Sequence, residues 1–100
     1  MKHTINDKSE LNGVFEQAFQ NNSEYIAVLV SIGERDPEVI INGKHSMQTK
    51  LEYYNSVYDL SLDHKHANGI KIVGAVFGDS FDEIEYKITE SEVKSVMQGV

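Results

Sequence analysis

The chain has no cysteine, no tryptophan, one proline and one arginine, Arg35. Without cysteine there is no disulfide scaffold, no thiolate nucleophile, no Cys-based zinc site and no iron–sulfur cluster. The single proline, Pro37, leaves no Pro-rich linker, and neither an internal repeat nor a low-complexity stretch is visible. No apolar run approaches the roughly 20 residues that span a bilayer; the longest is Tyr25 to Val30. The N-terminus lacks the cationic and apolar pattern of a signal peptide. The expectation is a soluble, cytoplasmic protein. At 100 residues with 40% apolar content, one domain can bury roughly two thirds of the surface its unfolded chain exposes, so neither metal nor disulfide is needed for folding.

Charge is abundant and lopsided. The formal net charge is -7; residues 1–50 hold 7 acids and 5 bases, and residues 51–100 hold 9 and 4. The acidic tract runs from Asp79 to Glu92 and contains Asp79, Asp82, Glu83, Glu85, Glu90 and Glu92 against the single base Lys87. A nucleic-acid-binding domain clusters Lys and Arg to displace counterions from phosphates. With no such cluster, direct DNA or RNA binding is not expected. The tract serves either as a solvated, solubilising face or as a docking surface for a basic partner.

Periodicity gives the elements. Leu11, Val14, Phe15, Ala18 and Phe19 lie on one stripe of an amphipathic helix ending near Gln20, with Asn6 or Ser9 as cap. Glu24 to Ile32 is β-branched and aromatic on both alternating sets, which predicts a strand covered on both faces. The polar loop 33–37 and the short run Glu38 to Asn42 complete a hairpin, and Asn42-Gly43 marks a turn before the next element. Ser46 opens a second helix from Met47 to about Leu62, on which Met47, Leu51, Tyr54, Tyr58 and Leu62 form one stripe and Tyr53, Val57 and Leu60 another. Ile70 to Phe77 is a further strand, with Gly74 marking a bulge or a close contact.

The segment after Ser80 satisfies two patterns. Ile84, Tyr86 and Ile88 alternate with Glu83, Glu85 and Lys87 as in a half-buried strand, while Ser80 with Glu83 spells a capping box and Phe81, Ile84 and Ile88 have helical spacing. The alternation is taken as the stronger signal. Thr89 with Glu92, trailed by Val93, Val96, Met97 and Val100, predicts a C-terminal helix. The expected order is α-β-β-α-β-β-α: a single α+β domain in which two hairpins form an antiparallel sheet with helices mainly on one face.

The short strand, the Asn-Gly turn, the helix carrying LEYYNSVYDL at Leu51 to Leu60 and the segment IKIVGAVFGDSFDEIE at Ile70 to Glu85 resemble small uncharacterised proteins of Gram-positive phages and mobile elements. Accessory proteins of such elements often bind host proteins, and several inhibitors of host nucleases are short, acidic α+β domains. The resemblance therefore implies binding rather than catalysis, and carries over no individual functional residue.

Other constellations are weaker. His64 and His66 beside Asp63 could direct two imidazoles at one metal, but a closed site needs about four ligands, and surface loop histidines explain the pattern as well. Gly74 and Gly78 lack the lysine and hydroxyl of a phosphate loop. Asp79-Ser80 lacks a nucleophile elbow. No catalytic residue, metal or cofactor is assigned. Tyr53, Tyr54 and Tyr58 on one helix are a candidate interface, because tyrosine joins apolar area to a polar tip. The leading expectation is a non-enzymatic interaction module, encoded by a phage or mobile element, that presents Asp79, Asp82, Glu83, Glu85, Glu90 and Glu92 to a basic host surface in place of nucleic acid. The alternative is a structural protein that dimerises through the tyrosine-rich helix or a sheet edge.

Overall fold

A computed structural model describes residues 3–89 of the chain. In order these form helix α1 (Lys8–Gln20), strands β1 (Tyr25–Ile32) and β2 (Glu38–Gly43), a 3-10 turn (Lys44–Ser46), helix α2 (Met47–Val57), strand β3 (Ile70–Gly78) and helix α3 (81–89). The three strands form one antiparallel sheet in the order β2-β1-β3. The α+β class and the antiparallel sheet thus agree with the sequence reading.

Local chemistry sets the boundaries of α1. Asp7, rather than Asn6 or Ser9, is its cap: the Asp7 carboxylate accepts the Glu10 amide at 2.8 Å, and the Glu10 carboxylate accepts the Asn6 amide at 2.8 Å. Each satisfies an amide that the first turn leaves without an intrahelical partner. At the other end Asn22 adopts φ +52°, a left-handed conformation that asparagine tolerates and that stops the helix.

Register divides the sheet into two faces. Ile26, Val28 and Val30 of β1, with Ile40 of β2 and Ala75 and Ile72 of β3, face α1 and α2. There they pack with Leu11, Phe15, Ala18, Met47 and Tyr54 in the main core. The two helices are joined by a reciprocal amide pair, Asn12 with Asn55 at 2.9 and 3.0 Å, and by Lys8 Nζ donating to the Asn55 carbonyl at 2.8 Å. On the opposite face Ala27, Val76 and Ile84 form a second, smaller cluster. β1 faces both layers, which explains why it is apolar at every position from Tyr25 to Val30.

Helix α2 ends at Val57, short of the expected Leu62. Tyr58 is extended, and the Asp59 carboxylate accepts the amides of Ser61 and Asp63 at 2.9 and 3.0 Å, an Asx-type turn that competes with helix continuation. Leu62 then takes φ +66° and still reaches the core, fully buried. Its helical spacing reflected burial, delivered by a loop.

The fourth strand expected at residues 81–88 is instead α3. The capping box forms: Ser80 Oγ accepts the Glu83 amide at 3.0 Å, and the Glu83 carboxylate accepts the Asp79 amide at 2.9 Å. Ile84, fully buried, and Ile88 turn toward the sheet, whereas Tyr86, the middle residue of the supposed strand face, is 67% exposed. Lys87 secures the helix by donating to the Phe77 carbonyl at 2.7 Å and pairing with Glu83 at 2.9 Å. The expected second hairpin is therefore absent, and β3 pairs only with β1 among the named strands. The helix expected from Thr89 through Val100 lies outside the described residues.

Gly74 sits beside a register shift opposite Leu29 and Val30. A Cβ on Gly74 would stand 3.0 Å from the His3 carbonyl oxygen. The close approach anticipated there is to the N-terminal segment, which bridges β3 at Thr4 and Gly74.

Candidate functional site

The sequence-derived candidates separate once placed. Asp79 and Glu83 hold α3 together: the Asp79 carboxylate accepts the Glu24 amide at 3.2 Å, and Glu83 closes the capping box. The Asp79 amide hydrogen bond to Glu83, then the Lys87 ammonium, holds the Glu83 carboxyl below the usual carboxylate range. Asp82 and Glu85 are exposed on the helix. Glu90 and Glu92 lie outside the described residues.

The tyrosines divide similarly. Tyr54 is 1% exposed and Tyr58 is buried, whereas Tyr53 is half exposed with the Lys50 ammonium 5.0 Å from its ring centre. Tyr54 stands edge-on to Phe15, Tyr53 and Tyr58. Burial, then the neighbouring Tyr58 and Tyr53 hydroxyls, push its pKa up to about 12; burial and Tyr53 raise that of Tyr58. The helix supplies core with one exposed ring, and Tyr53 alone of the three is open to a partner.

His64 and His66 occupy the 58–69 loop. His64 Nδ1 accepts the His66 amide at 3.0 Å, and the His64 ring stands edge-on to Tyr58. Among the described residues no group of three or more His, Asp or Glu is placed to hold a metal ion, and no helix is long and apolar enough to cross a membrane.

The molecule's most distinctive surface lies on the α3 side of the sheet. Strands are about 4.8 Å apart and a helix with its side chains is about 10 Å across, so one helix lying over Ala27 of β1 and Val76 of β3 leaves β2 uncovered. Val39 and Ile41 of β2, which share that face with Ala27 and Leu29, are 43% and 37% exposed. With Phe81, Ile84, Ile88 and Glu85 of α3 they line an open groove of about 410 Å³. Phe81 is 58% exposed and rests against the Tyr25 ring, centroids 4.7 Å apart, so its position is set by packing. The wall carries a carboxylate at Glu85, and β2 begins with Glu38.

Sequence reasoning missed this groove because Val39, Ile40 and Ile41 are all apolar, and a continuous apolar run reads as burial on both faces. The available signal was the helical reading of residues 81–88, since a short helix cannot cover a three-stranded sheet. No protein-family model, curated protein or solved structure matches the chain.

Proposed function

We propose that the chain is a non-enzymatic protein-interaction module that takes a basic partner at the groove between β2 and α3. One observation carries the reading: exposed Val39, Ile41 and Phe81 form a contiguous apolar surface walled by Glu85, on a protein of net charge -7. Apolar side chains left together on a surface mark interaction sites more often than single exposed residues do. The charge supplies long-range attraction for a cationic partner, and the apolar floor supplies the affinity. Among the acids first singled out, Asp82 and Glu85 act as the attracting charges, while Asp79 and Glu83 keep α3 in position. A host protein that handles nucleic acid offers the required basic surface, in keeping with an accessory protein of a phage or mobile element.

Random-peptide display against the full chain tests this. Enriched sequences should carry an excess of Lys and Arg, and their binding should be lost in the I41K variant, whose replaced side chain is exposed enough for the fold to tolerate lysine. Enrichment without charge bias, or binding that survives I41K, would overturn the reading.

A further inference from the structure

The backbone beside the groove specifies how the partner binds. The Lys44 amide donates to the Glu24 carbonyl at 2.7 Å, and Lys44 is the residue opposite Glu24 when the register Tyr25 with Gly43, Ile26 with Asn42 is extended by one. In an antiparallel ladder, hydrogen-bonded pairs alternate with pairs that point their backbone groups away. Residues 38, 40 and 42 therefore turn their N–H and C=O groups to β1, and Val39, Ile41 and Gly43 turn theirs to the outer edge. The same rule accounts for the other margin of the sheet. There Ala75 donates to the His3 carbonyl and the Val73 carbonyl accepts from Ile5, both at 3.1 Å, so residues 3–5 cover the outer edge of β3. Among the described residues no strand covers that of β2.

The same two residues thus expose apolar side chains to the groove and unpaired backbone groups to the edge. Edge strands are commonly protected by lysine, proline or a bulge. β2, of sequence EVIING, has none of these between Glu38 and Gly43.

Resting on the interaction reading above, we infer that the occupant is an extended segment of a basic protein that adds to the sheet as a strand along β2. Its main chain bonds to Val39, Ile41 and Gly43, alternate apolar side chains lie over the groove floor, and a Lys or Arg reaches Glu85 or Glu38. Strand addition takes affinity from main-chain hydrogen bonds and specificity from the alternate side chains. Charge selects the partner's chemistry. A second copy of this chain would bring another -7 and set a second Glu38 near the acids already there, whereas a cationic strand complements both carboxylates.

Amide hydrogen exchange on the full chain provides the test. The probe is a capped peptide of about eight residues, long enough to span β2, with Ile and Thr alternating and Lys at both ends. Its controls are a twin with Glu for Lys and a Lys peptide N-methylated along one backbone edge. The Lys peptide should slow exchange at Val39 and Ile41 and bind about tenfold more tightly than the Glu twin at low salt, a gap that salt narrows. N-methylation should abolish binding, and E85K should shrink the preference for Lys.

Equal binding of the N-methylated peptide at the groove would overturn strand addition while leaving the interaction reading intact. Failure of every peptide to bind, together with a display selection that yields no groove binder, would remove both. Slow exchange at Ile41 in the free chain at all concentrations would overturn the inference in favour of an occupant within this chain. Protection that grows with protein concentration would overturn it in favour of a second copy.

Discussion

Replacing Tyr54 with phenylalanine should stabilise the protein. The Tyr54 hydroxyl is buried and has no hydrogen-bond partner among the described residues, while its ring packs against Phe15, Tyr53 and Tyr58 at centroid distances of 6.3, 5.5 and 6.0 Å. Burying a hydroxyl without a compensating bond costs about 1–3 kcal/mol on protein mutational scales. Y54F removes that cost and keeps the ring contacts. Part of the gain is offset because the unfolded chain also loses a solvated hydroxyl, so the expected stabilisation is about 1 kcal/mol. In a domain of this size that raises Tm by roughly 4–8 °C. Urea unfolding monitored by far-ultraviolet circular dichroism measures it directly, with the midpoint rising and the slope unchanged. Y54A is the contrasting control: it also discards the ring and should lose about 3–5 kcal/mol. A Y54F protein less stable than the parent by about 1 kcal/mol, the usual worth of one hydrogen bond, would show that the hydroxyl is satisfied and that this account of the core is wrong.

Tyrosine ionisation should also destabilise the fold at high pH. The folded pKa of Tyr54 lies near 12 against an ordinary 10.0, so its contribution is complete below pH 10, falls as the unfolded chain ionises more readily, and is lost through about pH 12; Y54F should flatten that limb of the stability curve. At the acid end Glu83 works in the opposite sense. Its lowered pKa contributes stability above the usual carboxylate range that disappears as pH falls through the folded value, which an E83Q variant should abolish in a pH series of unfolding curves. S80A removes the other half of the capping box and should cost about 1 kcal/mol, with exchange accelerated at α3 amides before those of β1; uniform acceleration would refute a local role. G74A must displace the His3 carbonyl, 3.0 Å from the new methyl, and should cost about 1–3 kcal/mol, whereas G13A, with open space at its Cβ, should stabilise α1 by up to about 1 kcal/mol.

The order of elements through β3 was legible because each carries one dominant period. The stripe from Leu11 to Phe19 and the run from Tyr25 to Val30 leave little choice. Two features misled. Leu62 has the spacing of a helix face, but the Asp59 turn ends the helix first, and periodicity records only that the residue is buried. Residues 81–88 fit both periods, and tertiary contact resolved them: Ser80 and Glu83 cap a helix whose Ile84 meets Ala27 and Val76. Among site residues, the acids were visible as a tract, but the division between Asp79 and Glu83, which cap, and Asp82 and Glu85, which face outward, depends on that same helix. Val39, Ile41 and Phe81 could not be recognised as exposed until α3 was known to stop short of β2. Tyr54 and Tyr58 looked like interface and are core, because α2 packs that stripe against α1 and the sheet.

The most direct test of the groove as the interaction site is an amide chemical-shift map of the full chain titrated with the tightest peptide from display selection. The account predicts that the largest changes fall on Val39, Ile41, Gly43, Phe81 and Glu85, and weaken together as salt is raised. Changes centred on the α1–α2 surface, at Tyr53 or Leu60, with β2 unmoved, would contradict it.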